Sequence, residues 1–337
     1  MKIAVIGAGA IGSLVAGYLT KAGEDVLLVC KEDYVNAISK NGLIITGVRG
    51  NENIKVKVAV KMTEECDLVI FATKTQDLGN AYQENHLFLE NCMALTTQNG
   101  VQSDNILSTH FERNKMFSSI VMFGSTLSEP GKVVFNFEGD WIIGKPFMPV
   151  EPQVHDLAKI FEKAFPVKVS QNITGMKWLK LFINFNNCIP AMIGKSMQET
   201  FADMDLCRLS ILLLKEGLKV VESSNIEIIS LPNFPAERIY GMTQMPIDQA
   251  AGIINKTLTT LSKEPLFGSI LQSIQRGKIS EIDFINGEVV HLGKQTRVEA
   301  PLNERALDMV HQVERTGRFF SVMEIKKEFE LIEYIKT

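Results

Sequence analysis

The sequence is short of the features that mark most specialised protein classes. It has five cysteines in 337 residues, Cys30, Cys66, Cys92, Cys188 and Cys207, an odd number with no CxxC pair. That pattern fits reduced thiols in a cytoplasmic protein and excludes a disulfide scaffold or a cysteine zinc site. The five histidines (His86, His110, His155, His291 and His311) show no HxH or HxxxH spacing, so no metal site is expected. They read as surface or helix-end residues. There is no basic excess: 35 Lys plus Arg stand against 39 Asp plus Glu, for a formal charge of −4. A nucleic-acid partner calls for a basic patch, and an anionic membrane surface for positive charge. No repeat or low-complexity tract is present. Disorder as the main state is excluded, because hydrophobic residues make up 45% and charged residues only 22%. At ~100–200 residues per domain, the length suggests two domains.

The first thirty residues carry the sharpest signal. Residues 3–19 are apolar and follow Met1-Lys2, which resembles the core of a signal peptide. Gly7, Gly9, Gly12 and Gly17 break the run, no A-x-A site follows, and it is shorter than the ~20 residues that span a bilayer. The alternative accounts for each residue. Ile3–Ile6 form a short buried strand. Gly7-Ala8-Gly9-Ala10-Ile11-Gly12 is a GxGxxG loop. Ser13–Ala22 form a helix stopped by Gly23, and Val26–Val29 form a second strand. This is the strand–loop–helix–strand context of a dinucleotide-binding fingerprint. Gly7 permits the turn, Gly9 lets the backbone approach a pyrophosphate, and Gly12 lets helix pack on strand. The helix N-terminus presents unpaired N–H groups to the phosphates. An NAD enzyme usually ends the second strand in Asp or Glu, which binds the ribose 2′-hydroxyl. Here it ends Val29-Cys30-Lys31. Lys31 suits a 2′-phosphate, so NADPH is the expected cofactor, with Glu32 and Asp33 blunting the preference.

Further strands are expected at Leu68–Ala72, ending Thr73-Lys74, and at Met93–Thr97, ending Gln98-Asn99-Gly100. In open parallel sheets, ligands bind outside the carboxyl ends of the strands. Lys74 is therefore either a second cofactor contact or a surface lysine. Asn99 is either a turn residue or a polar group aimed at nicotinamide and substrate. Ser118–Phe123, Val133–Phe137 and Trp141–Ile143 read as antiparallel strands closing the sheet edge, with Glu129-Pro130-Gly131 as a turn. A helix at Val154–Ala164 and a strand at Val167–Val169 complete an α/β, Rossmann-type doubly wound domain over residues 1–169. Residues 170–337 then read as an all-α domain. Its helices are expected at Ile173–Met192, Met204–Ser223, Ile247–Leu261, Ile270–Arg276, Ile282–Lys294 and Asn303–Val313, with a solvent-facing one over Phe319–Lys336. Such an arrangement suggests a cleft between the domains.

In the second half, Trp178, Leu181, Phe182 and Phe185 make one apolar helix stripe. Lys180 and Asn184 lie four apart on another face, either as a solvated face or as a proton donor with a carbonyl ligand one turn away. Ser280 is a plausible N-cap, with Glu281 and Asp283 in the first turn of the next helix.

Taken together, KIAVIGAGAIG, Gln98-Asn99-Gly100, Trp178-Leu179-Lys180-Leu181 with Asn184, Ser269-Ile270-Leu271-Gln272, Ser280-Glu281-Ile282-Asp283-Phe284-Ile285-Asn286-Gly287 and Ala300-Pro301-Leu302-Asn303 resemble the ketopantoate reductase family. The resemblance spans nearly the whole chain, in order. It implies NADPH-dependent reduction of 2-dehydropantoate to pantoate, on the route to pantothenate and coenzyme A. It implies Lys180 as catalytic acid and Glu281 as the active-site glutamate, touching cofactor as well. It implies Asn99, Asn184 and Ser269 as substrate ligands. It implies Gly7, Ala8, Gly9, Ala10, Ile11, Gly12, Lys31, Lys74 and Asn99 as cofactor contacts.

The family's second substrate asparagine falls on Cys188 by straight counting, or on Asn187 after a one-residue slip. The two point ~100° apart on a helix, so only one can face a ligand. Ser273 and Leu266 also depart from the family pattern. They leave room for another 2-keto acid or an opine-type imine, and a non-catalytic NADPH sensor is the rival from another class. A keto-acid substrate, no nucleic-acid or membrane partner, a possible homodimer and a cytoplasmic location complete the expectation.

Overall fold

Alternating short apolar runs and amphipathic stretches fold, in the computed structural model, as twelve strands in the first half of the chain. Residues 1–331 are described. The strands are β1 (Lys2–Ile6), β2 (Asp25–Val29), β3 (Leu43–Gly47), β4 (Glu52–Ile54), β5 (Lys57–Ala59) and β6 (Leu68–Phe71). They continue as β7 (Met93–Thr96), β8 (Met116–Val121), β9 (Gly124–Glu129), β10 (Lys132–Phe137), β11 (Trp141–Gly144) and β12 (Val167–Val169). Contacts divide the chain into two units, Met1–Thr174 and Gly175–Thr337.

Eight strands form one sheet in the order β12-β11-β8-β7-β6-β1-β2-β5. All neighbours run parallel except β11 against β8. From β1 the chain winds outward through β2 to β5, then returns and winds the other way through β6, β7 and β8. The direction reverses between β1 and β6, where Ile6 pairs with Phe71. Strands buried on both faces read as unbroken apolar runs, which is why β6 is buried at every position. This is the α/β doubly wound architecture expected for the first half.

One strand departs from expectation. Val133–Phe137 does not close the edge of this sheet. β10 lies in a separate four-stranded sheet, order β4-β3-β10-β9. It pairs antiparallel with β9 and parallel with β3. The Glu129–Gly131 turn joins β9 to β10 and not β8 to β10. The alternation of β10 buries Val133 and Phe135 in the core shared with Tyr18 and Phe165. The pattern fixes which face is buried, but not which strand lies beside it. The strands β3, β4, β5 and β9 were not expected: β4 and β5 hold three residues each, and no position of β9 is buried.

The second unit is helical, and its described residues hold no strand beyond a bridge of Leu231 with Phe234. The long helix Met204–Ser223 follows expectation to the residue. Asp203 caps it, accepting from the backbone N–H of Asp205 and Leu206. It buries Leu206, Leu209, Leu213 and Val220.

Three expected helices change form. Ile173–Met192 is two helices, Ile173–Asn184 and Cys188–Ile193, joined by a 3₁₀ turn over Phe185–Asn187. Pro190 is the cause: a proline is tolerated in a first turn but not in a helix interior, so a new helix must start just before it. Ile282–Lys294 becomes a 3₁₀ turn at Ile282–Phe284 and a helix at Asn286–Thr296. The Ser280 hydroxyl accepts from the Ile282 N–H, capping that turn and not an α-helix. The C-terminal helix runs Val322–Glu328, started by a Ser321–Glu324 capping box. The expected stretch beyond residue 331 lies outside the described residues. No described helix is long and apolar enough to cross a membrane.

Candidate active site

In the first unit the loop after β1 is shaped by its glycines. Gly7 has φ +112°, and a Cβ there would meet the Thr73 nitrogen at 2.8 Å. Only glycine serves where backbone crosses backbone that closely. Gly12 abuts the Gly7 carbonyl, and a Cβ on it would lie 2.9 Å from that of Ala72. At Gly9 the same test meets nothing within 4 Å. The loop is therefore closed behind Gly7 and Gly12 and open at Gly9. The helix Ala10–Lys21 begins there without a side-chain cap and without an acidic residue in its first turn. The N–H groups of Ala10, Ile11 and Gly12 lack helical acceptors by the geometry of any helix start. They form a cradle for an anion. Ala8 is buried, and its carbonyl accepts from the Ser13 hydroxyl at 3.1 Å, which steadies the loop.

The neighbouring strand ends supply the rest. Lys31 is exposed and precedes the helix Glu32–Asn41. Cys30 before it is buried, and burial pushes its thiol up to about 11. The strand thus ends in a cation and an inert thiol, with no carboxylate at the ribose position. Lys74 is half-buried. The backbone of Thr73 lies against Gly7, and its Oγ1 is buried with no hydrogen-bond partner among the described residues. An open space at Gly9 and an orphaned hydroxyl on Thr73, at the end of the neighbouring strand, suit a dinucleotide phosphate. Gln98 donates to the carbonyls of Phe71 and Thr73, both at 2.9 Å, and so ties the loop after β7 to the loop after β6. Sequence reading assigned no role to Gln98. It leaves Asn99 half-exposed in the turn closed by Gly100, at φ +79°.

In the second unit Lys180 stands on the helix Ile173–Asn184. The opposite stripe is buried, with Trp178 and Phe182 at 3% and 2% exposure and the rings of Phe182 and Phe185 against Gly217. At ~1.5–3 kcal/mol per large apolar side chain, that burial fixes the roll of the helix. Lys180 and Asn184 are left half-buried on the other side. Burial lowers the Lys180 pKa to about 8; Lys177, one turn earlier, lowers it too, and Glu281 opposes both. Glu281 is therefore close enough to act on the Lys180 charge. Lys177 was missed in the sequence, although its i−3 spacing to Lys180 was visible.

The 3₁₀ turn decides between Asn187 and Cys188. In 3₁₀ geometry residues i and i+3 eclipse, so Asn187 and not Cys188 follows Asn184 on the same face. Cys188 is fully buried, with its thiol bonded to the Phe185 carbonyl and pushed up to about 12 by burial. Asn187 packs on Gly268, where a Cβ would lie 2.6 Å from its Oδ1. Gly268 precedes the exposed Ser269, which opens the helix Ser269–Gln275. The second unit thus gathers Lys180 with Glu281, and Asn187 with the Ser269 loop. Leu266 and Phe267, at 38% and 40% exposure, flank that loop. Among the described residues no cluster of His, Cys, Asp and Glu could hold a metal ion.

Comparison with known proteins follows the same division. The family model for ketopantoate reductase PanE/ApbA matches residues 3–146, and that for its C-terminal region matches residues 172–314. A relative from Pyrococcus abyssi, named 2-dehydropantoate 2-reductase, is 31% identical over 307 residues, covering 90% of this chain and 94% of its own. One of the same name from Archaeoglobus fulgidus is 24% identical over 315 residues, covering 93% and 98%. A PanE/ApbA family ketopantoate reductase from Ralstonia eutropha superposes with a TM-score of 0.80 at 26% identity, over 94% of this chain and 99% of that one. D-mandelate dehydrogenase, solved with NADH and anilino(oxo)acetate, shares the fold with a TM-score of 0.80 at 21% identity, again over 94% and 99%.

Proposed function

Because the chain belongs to the ketopantoate reductase family, we propose that it reduces 2-dehydropantoate to pantoate with NADPH, and that Lys180 supplies the proton. The observation that carries this reading is a half-buried Lys180 with Glu281 close enough to act on its charge: burial and Lys177 bring the lysine down to about 8 against the opposing pull of Glu281. A free lysine, at ~10.4, is a weak acid near neutral pH. Reduced nicotinamide, when bound, supplies the hydride.

The chain's own groups do the rest. The Lys180 ammonium neutralises the charge that develops on the ketone oxygen and then donates its proton there. Glu281 keeps the lysine protonated against burial and against Lys177. Asn184, Asn187 and Ser269 hold the polar ends of the keto acid, so that its carbonyl meets the ammonium. In the first unit, the loop Gly7–Gly12 and Lys74 hold the phosphates and Lys31 the 2′-phosphate. Asn99 contacts cofactor and substrate. The first unit is accordingly the dinucleotide domain and the second the substrate domain. Five unpaired cysteines support a reducing, cytoplasmic setting.

One observation favours a second reading within the same chemistry. Leu266 and Phe267 expose apolar side chains beside Ser269, which suits a more apolar 2-keto acid. The test is loss of reduced-nicotinamide absorbance with 2-dehydropantoate, beside an aryl- and alkyl-substituted panel of 2-keto acids and NADH in place of NADPH. Turnover fastest with NADPH and 2-dehydropantoate is expected. A preference for apolar keto acids establishes the second reading. NADPH binding without turnover on any of them refutes both.

A further inference from the structure

The segment that carries Glu281 is gripped by titratable groups that the reaction above does not use. Glu314, on the helix Pro301–Thr316, accepts a hydrogen bond from the Ser280 backbone N–H through Oε1 at 2.8 Å. Its Oε2 lies 2.9 Å from Nδ1 of His311, one turn earlier on the same helix. The other ring nitrogen of His311, Nε2, lies 3.0 Å from Oδ1 of Asp283 in the 3₁₀ turn. Ser280 and Asp283 flank Glu281, one residue before it and two after. A single helix therefore holds the Glu281 segment at two points, and the imidazole joins them.

We propose that Glu314 and His311 are positioning residues that hold Glu281 beside Lys180. The inference rests on the reductase reading for the role of Glu281. An imidazole between two carboxylates donates to both only when it carries both protons. Burial disfavours that charge, but the contacts with Glu314 and Asp283 outweigh it and raise the His311 pKa. Burial likewise raises that of Glu314, and the bonds from Ser280 and His311 outweigh it and hold the carboxylate low.

Other elements packed on this helix bring charges with partners of their own. Glu216, from Met204–Ser223, accepts from the N–H groups of Leu302 and Asn303 at the far end. Asn286–Thr296 carries Glu288, His291 and Lys294, and Lys294 pairs with Glu304 at 2.9 Å. Cys188–Ile193 brings only the Cys188 thiol. On the helix itself, Asp308 and Arg315 are the i−3 and i+4 neighbours.

The sign follows from these directions. A raised His311 pKa means its stabilisation is complete below the ordinary ~6.5 and is lost as pH rises through the raised value. A lowered Glu314 pKa means its stabilisation is present above the ordinary carboxylate value and is lost as pH falls through the lowered one. The clamp is whole between the ordinary carboxylate value and ~6.5 and loosens on the alkaline side of the raised His311 value.

The test uses the full chain and two variants. Amide exchange at Ile282 and Phe284, whose N–H groups bond to Ser280 Oγ and the Glu281 carbonyl, reads the segment without substrate. Glu314→Ala is expected to speed that exchange and to lower kcat/KM by ~10–10², the cost of a displaced catalytic group. Glu314→Gln keeps an acceptor for Ser280 and offers an N–H to Nδ1, so a neutral imidazole still reaches Asp283. It is expected to recover most of kcat/KM, to lower the His311 pKa read by NMR, and to remove the alkaline loosening seen in wild-type exchange. Unchanged exchange in Glu314→Ala, or a Glu314→Gln variant as slow as Glu314→Ala, overturns the proposal. Wild-type protein that turns over no 2-keto acid with NADPH overturns the reductase reading instead, and the exchange data then decide the clamp alone.

Discussion

Two ionisable side chains of the second unit are shifted in opposite directions by their surroundings. Lys180 is lowered because burial and Lys177 outweigh Glu281. His311 is raised because two carboxylates outweigh burial. If Lys180 donates the proton, kcat/KM falls as pH rises through about 8, since only the ammonium form is active. The stability sign is the reverse of the usual ion-pair case. The folded state holds the charge at a cost, and that cost fades as pH rises from about 8 toward the unfolded ~10.4. Lys180→Met is therefore expected to melt no lower than wild type at neutral pH, while kcat falls by ~10²–10⁴. A large loss of melting temperature with kcat retained would show a structural lysine. The i, i+4 spacing with Asn184 left Lys180 a solvated face or a proton donor, and the family resemblance singled it out. The size of the shift was not legible, because it depends first on burial by packing and then on the opposing charge of Glu281, a hundred residues away in sequence.

At the scale of the element, the 3₁₀ turn Phe185–Asn187 sets which side chains share a face. Asn186 is taken by the Ser210 hydroxyl, Cys188 by the core, and Asn187 alone turns to Gly268. Asn187→Ala is expected to raise KM for the keto acid with little change in unfolding free energy. Cys188→Ala is expected to do the opposite, costing about 1 kcal/mol in denaturant unfolding while KM holds. Reversed outcomes would return Cys188 to the ligand. Pro190 was in plain sight, and its effect on the preceding turn is local chemistry. A continuous helix was read because the apolar stripe of Trp178, Leu181, Phe182 and Phe185 runs straight up to the break.

At the scale of the molecule, the two units carry different chemistry: the glycine cradle in one, the lysine and glutamate in the other. A ligand that binds only the folded cradle stabilises by mass action. NADPH at ~100 times its Kd is expected to add about 2.7 kcal/mol to unfolding, less for NADH at equal concentration. Its exchange protection is expected at Gly7–Gly12 and the loops after β2 and β6. Protection confined to residues 175–331 would refute the cradle.

Elements whose signal is local were determined by the sequence alone. The strand, glycine loop, helix and second strand of the first thirty residues follow from apolar runs and glycine spacing. The helix Met204–Ser223 follows from its cap and stripe. Pairings between distant segments were decided only by tertiary structure. An alternating strand such as Val133–Phe137 is equally content beside any partner that buries Val133 and Phe135, and the partner proved to be β3. Asp283, which read as a helix-dipole residue, lies 3.0 Å from Nε2 of His311, a contact that exists only because packing brings the two segments together. Local patterns record what a residue buries. Which charge it then meets depends on packing between segments far apart in the chain.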